Sequence, residues 1–256
     1  MRLALITALF FVAPLSAQTP KKLLLLAQGP DGHPAQTHEY EAGLKILEKL
    51  LSKTPGVATT FVKADEPWRD GPELLEKADG CILFLSQGAK FVAAEPKRLA
   101  AFQKLAERGG AFGVIHWGMG TQDAKNIEPF VAMFGACHGG PDRKFQVVST
   151  ALKVNDPKHP VTTGIKDLEV REEFYYNLKV VKDQSGPKPI LTANIDGKDE
   201  MVGWAWQRAK GRSFGFTGLH FHENWRHPEY RRLILQGTLW ALDLPIPPGG
   251  AAVALD

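Results

Sequence analysis

The feature that most constrains this chain is the alternation of short apolar runs with amphipathic stretches in its first half. Lys22-Leu-Leu-Leu-Leu-Ala27 is continuously apolar, the pattern of a strand covered on both faces. Leu44, Leu47, Leu50 and Leu51 then recur at helical spacing between Glu39 and Lys53, and Pro55-Gly56 ends that segment. The pattern repeats with a β-rich stretch from Val57 to Val62, a short helix from Glu73 to Ala78 and an apolar strand over 81–85. An amphipathic helix from Glu95 to Arg108, closed by Gly109-Gly110, leads into a strand from Ala111 to Ile115. This β-α-β-α-β-α-β order predicts a mostly parallel, doubly wound α/β sheet.

The second half is less regular. Asp123 to Phe134 reads as a helix despite Pro129, and Phe145 to Val154 reads as a strand around a break. Short β-rich pieces follow at Glu169–Tyr176, Pro189–Thr192, Val202–Gln207 and Ser213–Thr217, before a closing helix from Pro228 to Leu242. No internal repeat or linker interrupts the chain, so one domain over residues 22–245 is expected. The Pro-, Gly- and Ala-rich tail, 246–256, is expected to be loosely ordered.

Residues 1–17 have the pattern of a signal peptide: Arg2, an apolar run from Leu3 to Leu15, then Ser16-Ala17. That run is short for a membrane span, and no later segment is apolar enough to be one, so no stable span is expected after cleavage. The mature protein is therefore expected to be exported, periplasmic or secreted. The 31 Lys and Arg are interspersed with 28 Asp and Glu, with no long basic run, so no nucleic-acid partner is expected. Cys81 and Cys137 allow at most one disulfide and lack metal-binding spacing. Whether they pair stays open, as does a homo-oligomer.

Six histidines fall after predicted strands or in Gly-rich loops: His33, His38, His116, His138, His220 and His222. In open α/β sheets ligands bind outside the carboxyl ends of the strands, where such loops converge. His38, His116 and His220 are the candidate catalytic residues, with Glu173 as the carboxylate. His138, His222, Tyr175, Asn224 and the flanking Trp117 and Trp225 are candidate substrate-binding residues, the aromatics through stacking on sugar faces. Two readings of the histidines stay open: a divalent metal such as zinc on His38, His116 and His220, or a hydrogen-bonded polar pocket. Gly113-Val-Ile-His116-Trp-Gly-Met-Gly120 has the strand–turn–helix shape of a nucleophile elbow, with His where Ser or Cys would stand. His159 and His227 read as structural residues of a turn and a helix start.

Several stretches resemble the ThuA-like (trehalose utilisation) family, a branch of the class I glutamine amidotransferase-like superfamily. They are His38-Glu39-Tyr40-Glu41-Ala42-Gly43, Gly113-Val-Ile-His116, His159-Pro160-Val161-Thr-Thr-Gly164, Glu172-Glu173-Phe174-Tyr175, and the run from Gly211 to Trp225. The resemblance implies a flavodoxin-like three-layer α/β sandwich and a role in carbohydrate metabolism, with a small sugar or keto-sugar as ligand. Glutaminase chemistry in that superfamily needs an elbow Cys, and here the position holds His116. The expectation is an acid–base enzyme of carbohydrates, with a non-catalytic carbohydrate-binding protein as the rival.

Overall fold

The computed structural model describes residues 19–182 and 185–255, so the signal-peptide expectation lies outside the described residues. In chain order the strands are β1 (Lys21–Ala27), β2 (Val57–Lys63), β3 (Gly80–Phe84), β4 (Ala111–Ile115), β5 (Gly120–Thr121) and β6 (Ala136–Gly139). They continue as β7 (Lys144–Val154), β8 (Leu168–Tyr176), β9 (Lys179–Val180), β10 (Lys188–Ile195), β11 (Lys198–Gln207) and β12 (Arg212–Phe216). The helices are α1 (Tyr40–Ser52), α2 (Gly71–Lys77), α3 (Gly88–Ala93), α4 (Pro96–Glu107), α5 (Ile127–Phe134) and α6 (Pro228–Ala241).

Nine strands form one sheet in the order β2-β1-β3-β4-β12-β11-β10-β7-β8, and β5, β6 and β9 form a small second sheet. The pairs β1/β2, β1/β3, β3/β4 and β4/β12 are parallel. The pairs β12/β11, β11/β10, β10/β7 and β7/β8 are antiparallel. The expected mostly parallel sheet is thus corrected: the sheet is mixed, with a parallel half and an antiparallel wing. A two-residue turn causes much of the change. Asp196 and Gly197 both have positive φ (51° and 79°) between Ile195 and Lys198, which pair across it. That is the backbone a tight hairpin requires, so β11 runs back along β10.

Helices cover both faces of the parallel half. Leu44, Leu47 and Leu51 of α1 and Leu233, Ile234 and Leu235 of α6 are buried with Leu23, Leu25, Ile82 and Phe84 on one face. Leu75, Phe91, Phe102, Leu105 and Phe134 of α2 to α5 are buried with Leu24, Leu26, Cys81 and Leu83 on the other. Consecutive strand residues point to opposite faces, which explains why the β1 leucines divide between the two cores. Both cysteines are buried free thiols. The end of the chain also differs from expectation: Ala251 and Val253 are buried, and Ala251 donates its N–H to Gln236 Oε1 at 2.7 Å. Among the described residues no helix is long and apolar enough to cross a membrane.

Candidate functional site

Three loops at the carboxyl edge of the parallel strands, and one strand of the wing, build the site. His116 follows β4 directly and takes a positive φ of 47°, opening a 3-10 turn over His116–Met119. Such a backbone is strained for a non-glycine residue and is concentrated at functional sites. The elbow packs so tightly on the loop after β3 that a Cβ on Gly88 would lie 1.8 Å from Gly118 O. His38 sits in the loop between β1 and α1, also at positive φ (53°). Its N–H donates to His220 O at 3.0 Å, and Thr37 bridges to Phe221, so this loop is tied to the loop after β12.

Glu172 holds the loop after β12. Its fully buried carboxylate accepts from Leu219 N (2.8 Å), His220 N (3.1 Å), Phe221 N (3.4 Å), Glu173 N (2.9 Å) and Asn224 Nδ2 (2.8 Å). Burial pushes its carboxyl up to about 7 against the pull of these donors. Leu219 takes a φ of 73° within this cradle, which turns His220 toward the other histidines. The neighbouring Glu173 points to the opposite side of β8, into the cluster.

Second partners set the tautomers. His116 Nδ1 lies 2.7 Å from Thr217 O, and a carbonyl only accepts, so Nδ1 carries the proton and Nε2 a lone pair. His38 Nδ1 lies 3.0 Å from Asp31 Oδ2, and the same argument leaves its Nε2 with a lone pair. Burial raises the Asp31 carboxyl, but hydrogen bonds from His38, Tyr40 and His33 outweigh it and hold it well below the usual range. Burial pushes His116 well below its ordinary pKa, lowers His38 and takes His220 down to about 4. Neutral rings therefore aim two lone pairs at each other: His38 Nε2 is 3.1 Å from His116 Nε2. His220 Nδ1 is 3.2 Å from the same atom, and the Tyr175 hydroxyl 2.9 Å. Glu173 Oε1 stands 3.4 Å from His220 Nδ1 and 3.8 Å from His116 Nε2.

This donor set fits a divalent cation. The donor atoms of His38, His116, His220 and Glu173 all lie within 4.8 Å of one another. The edges of a tetrahedron with metal–nitrogen bonds near 2.0–2.1 Å are about 3.3 Å, close to the 3.1 and 3.2 Å that separate His116 Nε2 from His38 Nε2 and His220 Nδ1. Asp31 and Thr217 O stand where the outer partners of metal-ligating imidazoles would stand. A lone-pair pair at 3.1 Å is repulsive without a positive charge or proton between the atoms, which is the observation that most favours a cation.

The cluster opens into a cavity of about 340 Å³ that also reaches Trp117, His138, Arg143, Phe145 and Tyr175. His138 is buried and stacks on Tyr175 at 3.9 Å, and burial pushes it down to about 3. Three residues expected at the site lie elsewhere. Trp225 is buried in the core beside Phe84, filling the space over Gly43. Asn224 is turned inward onto Glu172 and Arg171 O. His222 does not line the cavity, and its N–H donates to Gln36 O. Asp31, Tyr40 and Glu172 were missed as site-building residues. Asp31 lies in a Gly-Pro-Asp-Gly stretch that reads as a plain turn, while Tyr40 donates to Asp31 at 2.7 Å from the first residue of α1. His33, left open by the sequence, lies tilted against His38 with ring centroids 3.7 Å apart, and its Nδ1 is 2.8 Å from Asp31 Oδ1.

An α/β fold with a histidine-lined pocket at its sheet edge defines the class, and comparison with known proteins narrows it. The family described as ThuA, trehalose utilisation, matches residues 30–241. The chain belongs to this ThuA family. A ThuA-like protein from Bacteroides uniformis ATCC 8492 has a similar structure, with a TM-score of 0.69 and 14% identity over 88% of this chain and 93% of that one. Agd3, a carbohydrate deacetylase, superposes with a TM-score of 0.54 at 12% identity, over 88% of this chain. The β-galactosidase Gan42B gives 0.52 at 11% identity, over 86% of this chain. This chain matches only 32% and 30% of those two larger proteins, and at these identities the likeness is one of fold. No curated protein matches the sequence.

Proposed function

We propose that this protein is an exported enzyme of carbohydrate metabolism that acts on a sugar or keto-sugar by His/Glu acid–base chemistry. In this reading His38, His116, His220 and Glu173 hold a divalent ion such as zinc. The observation that carries it is the convergence of the His38 and His116 lone pairs with His220 Nδ1 and a carboxylate oxygen at one point of a sugar-sized cavity. Membership of the trehalose-utilisation family supports a carbohydrate as the ligand. Helices on both faces of the parallel half support a flavodoxin-like layering of that half.

A bound divalent ion would polarise a carbonyl or hydroxyl oxygen of the sugar. The chain's own residues supply the rest. Burial raises the Glu173 carboxyl above its ordinary value, a direction that suits a proton donor or acceptor and that a bound cation would oppose. The Tyr175 hydroxyl is a second donor at the same point and is held by stacking between His116 and His138. Trp117 walls the pocket, edge-on to His138 and Tyr175. A glutaminase reaction has no support: His116 occupies the elbow, and Cys137 is a buried thiol in β6 that burial pushes up to about 12.

The test pairs metal analysis with turnover of a panel of hexoses, keto-sugars and disaccharides by the parent, His116→Ala and His220→Ala. Loss of turnover in both variants is expected. Variants that turn over like the parent overturn the site. Sugar binding by a parent that turns over nothing makes the protein a non-catalytic carbohydrate-binding protein instead.

A further inference from the structure

Phe145 and Val147 are the large apolar side chains that the described surface leaves exposed, at 57% and 41%. Isolated exposed hydrophobics are ordinary, but these two share a strand and a face. They sit on β7 in antiparallel register with β8, Phe145 opposite Tyr175 and Val147 opposite Glu173. Directly opposed residues of an antiparallel pair point to the same side of the sheet. The exposed pair therefore extends the face that carries the site's carboxylate and phenol. The Phe145 ring stands 6.4 Å from both Tyr175 and His138 and lines the same cavity. Arg143 stands at this rim, its guanidinium donating to Gly140 O.

From this placement we infer a second subsite. It rests on the reading of the cluster as a carbohydrate site and adds what the cluster alone does not give. The ligand is a glycoside: one sugar ring reaches the histidines, and the group on its anomeric oxygen lies across Phe145 and Val147. The C–H face of a second ring, or an aromatic aglycone, covers Phe145, while the Arg143 fork meets hydroxyls at the edge. A ligand of one ring leaves this platform wet.

The experiment measures binding of methyl and phenyl glycosides of glucose and galactose, both anomers, by calorimetry. It uses the parent, Phe145→Ala and Phe145→Trp, with light scattering on each. Phenyl glycosides are expected to bind the parent about 10-fold tighter than methyl glycosides, a step of one stacked ring. Phe145→Ala is expected to erase that difference and leave methyl glycoside affinity unchanged, which also shows that the variant is folded; Phe145→Trp is expected to restore it. Equal affinities in the parent, or a preference that survives Phe145→Ala, overturn the subsite alone. So does a Phe145→Ala variant that only dissociates a dimer, because the patch is then a contact between copies. If no glycoside binds while His116-dependent turnover of another sugar persists, the subsite also fails and the function stands. If neither binding nor turnover is found, the functional reading itself fails and takes the subsite with it.

Discussion

The parallel half and the antiparallel wing meet at the site and contribute different chemistry. The parallel half delivers His38, His116 and His220 from the loops after β1, β4 and β12, where backbone strain and outer partners fix the His38 and His116 rings and Glu172 holds the His220 backbone. The wing delivers Glu173, Tyr175 and the apolar face of Phe145 and Val147 from regular strand, where pleat alternation aims the side chains. Loops thus place the nitrogen donors, and a strand places the oxygen donors. Glu172 is the seam: it belongs to β8 of the wing, yet it holds the backbone on which His220 rides.

That contrast can be broken at several points. Removing a ring from the parallel half has the largest expected effect. His116→Ala should lower turnover by about 10³-fold or more, as loss of a central acid–base or ligand group does. Asp31→Asn keeps the shape but frees His38 to flip its tautomer. Metal affinity or turnover should fall about 10- to 100-fold, the usual cost of an outer partner, and the melting temperature should fall as well, because the carboxylate that accepts from His38, Tyr40 and His33 loses its charge. A variant equal to the parent would show that Asp31 does not orient His38.

The seam is tested by Glu172→Gln and Glu172→Ala. The alanine variant strands several buried N–H donors and should lose about 3 kcal/mol of stability in denaturant unfolding. The glutamine variant keeps one acceptor oxygen and should lose less, but still lower turnover, because His220 is no longer held by a carboxylate. Unchanged turnover in a folded Glu172→Gln protein would separate the wing from His220 placement.

A smaller effect marks a region of the parallel half remote from the site. Glu66 is held below the usual carboxylate range chiefly by Arg98, whose guanidinium is buried, with oxygens at 2.6 and 2.8 Å. A depressed folded-state pKa contributes stability that is present above the unfolded value and lost as pH falls through the folded one. Thermal scans from neutral to acid pH should therefore show a steeper loss for the parent than for Glu66→Gln. At neutral pH the variant should melt a few degrees lower, with turnover intact.

Much of the parallel half was legible in the sequence because its strands are doubly covered and its helices amphipathic. Lys21–Ala27, Tyr40–Ser52 and Pro96–Glu107 fall within a residue or two of their expected bounds. The wing was not legible as a wing, because short β-rich pieces carry no direction. One local signal was present: Asp196-Gly197 between β-rich runs is a hairpin turn and would have reversed β11. The histidines at the sheet edge could be read from loop position alone. Glu172 and Glu173 could not be separated without placing the strand, since only its pleat sends one inward and the other to the cluster. Trp225 and Asn224 looked like ligand contacts because they follow His220, but the 3-10 turn over His222–Arg226 rotates both toward the core.

The central claim is that both regions supply ligands to one cation. Elemental analysis of the purified parent, His38→Ala, His116→Ala and Glu173→Gln after equilibration with zinc tests it most directly. The account predicts roughly one zinc per chain in the parent, none in either histidine variant, and a weakened, partly occupied site in Glu173→Gln. A parent that takes up no divalent metal, or a His116→Ala protein that retains it fully, would contradict the account.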